Sequence, residues 1–126
     1  MQGIHIFSIG FERNRWLAAR LSVIATNVAN ADTPGYKARD VMPFEATLTA
    51  ARSDHQRATI GHLPVEEHLG RTFDMVPRDG VSSKHSGNGV SLETEMARLG
   101  DTRSQQSMVT GVLGAFHRML LSSAKG

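Results

Sequence analysis

"NVANADTPGYKARD", residues 27–40, closes one kind of sequence and opens another. Upstream of it, apolar residues return every three or four positions, as on one face of a helix. Within it come Asn27, Asn30 and Asp32, a Pro34-Gly35 pair, then Tyr36, Lys37, Arg39 and Asp40. Proline presets the first central angle of a turn and glycine supplies the positive φ that a type II turn needs next. Thr33, preceding a proline, is pushed to extended geometry. Asn27 and Asn30 fall where a helix runs out of partners for its carbonyls, and asparagine tolerates a left-handed backbone there. Tyr36 can lay its ring on the helix while its hydroxyl finds a polar partner. An ordinary helix-ending turn accounts for the Asn-Pro-Gly part, but not for the tyrosine and alternating charges immediately after it.

Back from this corner, Phe7, Gly10, Asn14, Leu17, Leu21, Ile24 and Val28 step by three and four, a heptad seam weakened at Gly10 and Asn14. Beside it runs a second stripe of small residues, Ala18, Ser22, Ala25 and Ala29. A single apolar face suffices for a helical hairpin, whereas a further face of small residues lets another backbone approach closely. Farther along the chain, Gly87-Asn88-Gly89 signals a turn and Ser91 is a natural N-cap. Glu93 and Glu95 then suit the positive end of a helix. Leu92, Met96, Leu99, Thr102, Gln106, Val109, Leu113, Phe116 and Leu120 continue the three-four spacing, with a small stripe that includes Gly111 and Ala115 alongside. A helix of about 30 residues would be roughly 45 Å long, too lean in composition to hold itself together alone.

Between the ends, residues 41–90 keep no sustained period. A short helix is expected around Phe44–Arg52, with Pro43 near its first turn, and "RTFDMV" at 71–76 reads as a short extended piece. The rest reads as loop that orders within an assembly. The expected organisation is therefore an N-terminal helix and turn over 1–40, an irregular segment over 41–90 and a C-terminal helix over 91–126, the two ends forming one structural domain. The fold class is mainly α, with long terminal helices pairing as a coiled coil around a partly extended middle.

Composition narrows the function classes. Of 126 residues 40% are hydrophobic and 6% aromatic, a modest core for one domain. The formal net charge of +2 is spread along the chain without the cationic cluster a nucleic-acid groove needs, so no nucleic-acid partner is expected. No cysteine is present, which excludes disulfides and thiolate metal sites. The N-terminus lacks the basic start, apolar core and cleavage site of a secretory signal, and no run approaches a membrane span.

Candidate chemistry is thin. His55, His62, His68 and His85 are irregularly spaced, unlike a zinc site, and His5 and His117 stand alone. Glu66-Glu67-His68 lacks a nucleophile or orienting group, and Ser82-Ser83 near Lys84 and His85 fails the logic of a catalytic triad. No enzyme activity, metal or cofactor is expected; a helical metal-binding domain is the weaker alternative.

"SVIATNVANADTPGYKARDV", residues 22–41, resembles the N-terminal signature of the bacterial flagellar rod and hook proteins, and "GNGVSLETEMARLGDTRSQQ", residues 87–106, resembles the stretch in which such proteins enter their C-terminal helix. The resemblance implies a structural subunit of the proximal rod of the basal body, exported by the flagellar type III apparatus without a cleaved signal and lodged in the periplasmic rod. Implied partners are further copies of the chain, other rod proteins, the adaptor FliE, and the export-gate and MS-ring components. Another axial subunit of the same family is the nearest alternative. On this view Leu17, Leu21, Ile24 and Val28 pack against Leu92, Met96, Leu99, Leu113 and Phe116 inside the subunit. Ala18, Ser22, Ala25, Ala29, Gly111 and Ala115 receive neighbouring subunits, and the corner presents Tyr36, Lys37 and Arg39 to an adjacent copy.

Overall fold

A computed structural model describes residues 2–60, 72–78 and 89–126. Helix α1 spans Gln2–Ala29 and ends just before the Pro-Gly turn. Strand β1 is Arg39–Val41, helix α2 Phe44–Ile60, strand β2 Met75–Pro77, and helix α3 Leu92–Lys125. With 34 residues, α3 is roughly 51 Å long. Glu93 and Glu95 in its first turn and Lys125 in its last match the helix dipole. Ser91 occupies the N-cap with an extended backbone, but its hydroxyl makes no capping bond. Only its carbonyl is engaged, by the Glu95 N–H at 3.0 Å.

α1 and α3 run antiparallel. Phe7 meets Phe116 edge-on with ring centroids 6.5 Å apart. A Cβ on Gly10 would touch the Leu113 side chain, and Arg13 donates to Gln105 at 2.9 Å. At the far end Asn27 reaches Glu95. Leu17 and Ile24 are buried, while Leu21, Val28, Leu99, Leu113 and Phe116 are half-buried. Two residues expected in this seam are not in it: Leu92 is 50% and Met96 51% exposed. Counting back from Leu113 by alternating four and three gives 109, 106, 102, 99 and then 95, so the inward position is Glu95 rather than Met96. Hydrophobicity argued for the methionine, but helical phase and a polar partner on α1 put the glutamate inside. Leu92 is the first residue of α3, level with the point where α1 gives way to the turn.

α1 buries a second flank as well. Trp16, Val23 and Asn27 are buried on it, and with Leu17, Val41 and Phe44 the two apolar residues form the core. Trp16 donates its indole N–H to the Met42 carbonyl at 2.8 Å and packs against Phe44, with centroids 5.9 Å apart. The Arg13 guanidinium covers both rings, 4.7 Å from Trp16 and 4.9 Å from Phe44. The small stripe Ala18, Ser22, Ala25 and Ala29 is exposed, as are Gly111 and Ala115.

The middle segment holds more structure than its lack of periodicity suggests. α2 runs eight residues beyond the expected Arg52, to Ile60. Pro43 stands just ahead of it, where a missing N–H costs nothing, and its carbonyl accepts the Thr47 N–H at 3.1 Å. The expected extended piece appears as β2, antiparallel to β1 with Asp40 opposite Val76. The flanking bonds Met42 N–H to Asp74 carbonyl, 2.9 Å, and Arg78 N–H to Ala38 carbonyl, 3.0 Å, lengthen this pairing. His62, His68 and His85, Glu66-Glu67, and Ser82-Ser83-Lys84 lie outside the described residues, as do the side chains of His5 and His55.

Candidate functional site, a buried polar corner

The corner begins as a chain of tight turns. Asn30 N–H bonds the Thr26 carbonyl at 3.1 Å, Thr33 N–H the Asn30 carbonyl at 3.0 Å, and Tyr36 N–H the Thr33 carbonyl at 3.2 Å. Gly35 has φ 77° at the third position of this last turn, the conformation that favours glycine. Asn30 does not adopt the left-handed backbone expected of it, since no described non-glycine residue has positive φ. It closes the helix through its side chain, donating from Nδ2 to the Thr26 carbonyl at 2.8 Å.

Asn27 lies at the centre of the corner and is fully buried. Its Nδ2 donates to the Arg39 carbonyl at 2.8 Å and to Glu95 Oε2 at 3.0 Å. Its Oδ1 accepts from the Tyr36 hydroxyl at 3.1 Å and from the Arg39 N–H at 3.0 Å. Every hydrogen-bonding position of the amide is used. A carboxylate here would lose both donors, and a leucine would strand a backbone pair. Glu95, also fully buried, pairs through its other oxygen with Arg78 just after β2. One side chain at the end of α1 thus ties together the turn, β1, α3 and, through Glu95, the residue that leaves β2.

Asp40 forms a second tie. Arg20 of α1 donates to it from Nε at 3.2 Å and from Nη2 at 3.4 Å. Arg98 of α3 pairs with the same carboxylate, and the Val41 N–H donates to Oδ1 at 2.9 Å. Burial lowers the Arg98 pKa from its ordinary value; Arg20 pushes the same way and Asp101 opposes it. Arginine stays charged regardless, so the carboxylate bridges two cations. Such partly buried pairs add little net stability, but breaking one leaves a half-buried charge without its partner, so they favour one arrangement of the elements.

Of the residues expected to face a neighbour, Tyr36 instead turns its hydroxyl inward to Asn27, while the side chains of Lys37 and Arg39 are exposed. Pro34 and Asp32 are exposed too. Arg20, Arg78, Glu95 and Arg98 escaped sequence reasoning as site residues. Charge alone marks them as solvated, and only partners distant in sequence make them otherwise. Among the described residues no cluster of three or more His, Cys, Asp or Glu could bind a metal. Nor is any described helix long and apolar enough to cross a membrane.

The geometry defines a helical hairpin, latched at one corner and with exposed apolar and small residues along its flanks. Comparison with known proteins gives the class a family. Residues 10–37 match the family model described as flagella basal body rod protein. The chain is 33% identical to the flagellar basal body rod protein FlgB of Agrobacterium fabrum over 99% of its own length and 96% of that protein's. It is 28% identical to FlgB of Salmonella typhimurium, over 86% of this chain and 85% of the relative, and 30% identical to that of Escherichia coli, over 76% and 75%. The chain belongs to the FlgB family of flagellar basal body rod proteins. Its role is structural, not enzymatic, and its place is the flagellar basal body with other rod and basal-body proteins.

Proposed function

We propose that this rod subunit sits in the proximal, periplasmic part of the rod and assembles helically through the outer faces of α1 and α3. The exposed small stripe Ala18, Ser22, Ala25 and Ala29, facing away from the subunit's own core, is the observation that carries this reading. Small side chains let a neighbouring helix come close, and Gly111 and Ala115 offer the same on α3. The subunit's neighbours are further FlgB copies, other rod proteins and FliE, with the export gate and MS ring below. It reaches them by type III export.

Complementation tests this. Cells lacking the chain should not swim, and restoring it should return swimming together with its recovery in purified basal bodies beside proximal rod components. Swimming without the chain, or its recovery only with distal structures, would contradict the placement.

A further inference from the structure

We infer that the groove flanked by Lys37 and Arg39 receives the exposed first turn of α3 from a second copy of the chain, a contact that rests on the assembly reading above. The groove, about 540 Å³, lies between α1 and the corner and is lined by Ser22, Thr26, Tyr36, Lys37, Arg39 and Met75, among others. Its floor is small and partly apolar, with Met75 54% exposed. Its rim is cationic: both Lys37 and Arg39 are exposed, and neither side chain forms an ion pair with a described residue.

The complementary element is on the same molecule. Leu92 and Met96, one helical turn apart, are each about half exposed, and Glu93 beside them is exposed and without an ion pair among the described residues. No other exposed described carboxylate lies between two large exposed apolar side chains of one helical turn. An acidic, apolar helical turn is what a small groove with two cations accommodates: the apolar pair fills it and the carboxylate meets the rim. Within the chain, Lys37 is held to Gly89 through backbone and Asn27 to Glu95 through side chains, yet Glu93 joins neither rim cation. Because every copy carries both halves, and the halves are different patches, the contact is heterologous. Contacts of that kind propagate, giving an open helical array when the rotation does not close.

The chain has no cysteine, so single introduced thiols report contacts cleanly. Two differently tagged copies, one carrying Arg39→Cys and the other Glu93→Cys, are produced together and oxidised, both in swimming cells and as purified protein at high concentration. The mixed pair should give a disulfide-linked dimer containing both tags, and the two like pairs should give little. Absence of the mixed product, or predominance of a like pair, overturns the contact. Glu93→Lys should abolish self-association, and adding Lys37→Glu and Arg39→Glu to the same chain should restore it; failure to restore in a chain whose helicity is unchanged also counts against it. Should the chain be missing from basal bodies, the rod placement fails, while the purified protein still decides this contact.

Discussion

Replacing Asn27 by leucine keeps the branched outline of the side chain but discards all four of its hydrogen bonds. The Arg39 N–H and carbonyl and the Tyr36 hydroxyl lose their partner, and Glu95 keeps only Arg78. Orphaned buried groups are costly and act together, so the loss should be about 2–4 kcal/mol. Urea unfolding checks it, as a lower midpoint at unchanged slope; Tyr36→Phe, which removes one bond, should lose only about 1 kcal/mol. An Asn27→Leu midpoint equal to the parent's would show the corner to be decorative. Thr102 makes the opposite case. It is fully buried in the α3 seam and its hydroxyl has no partner. Thr102→Val removes that stranded group at nearly constant shape, so it should stabilise the chain by about 1 kcal/mol, read as a raised Tm.

Between α3 and the corner the backbones themselves are close. Gly89 bridges Lys37, and a Cβ on it would sit 2.8 Å from the Tyr36 carbonyl oxygen, which belongs to backbone and cannot swing aside. Gly89→Ala should therefore part the segment from the turn and lower the Tm, whereas Gly111→Ala, with nothing within 4 Å, should raise it in the isolated chain. Both long helices were legible from three-four spacing, and the Pro34-Gly35 turn from its residue types. The seam residues Leu17 and Ile24 were legible for the same reason. Met96 was misplaced because a local pattern ranks methionine above glutamate, while Glu95 is brought inside by Asn27, 68 positions away. The flank of Trp16, Val23 and Asn27 keeps the same spacing as the seam, and its large side chains were a usable signal. β2 was partly legible in the extended reading of residues 71–76, but β1 left no signal, because a three-residue strand depends wholly on a partner distant in sequence.

For the molecule as a whole, the balance of apolar surface points outward. Among the described residues eight hydrophobic side chains are buried, while eleven large ones, from Ile6 to Leu121, remain exposed, so the hairpin has more sticky surface than its own fold covers. The corner fixes the angle at which the chain leaves α1, and the flanks are left for neighbours. Ala25 separates these two tasks: it is exposed on the small stripe and belongs neither to the core cluster nor to the hydrogen-bonded corner. The most direct measurement is therefore made on Ala25→Glu, comparing melting of the purified chain with its recovery in basal bodies. Helicity should be unchanged and stability should stay within about 0.5 kcal/mol of the parent, since glutamate is a good helix former at an exposed site. The chain should nonetheless be absent from basal bodies and the cells should not swim. Normal swimming with the variant built into the rod would contradict an assembly surface on this face of α1.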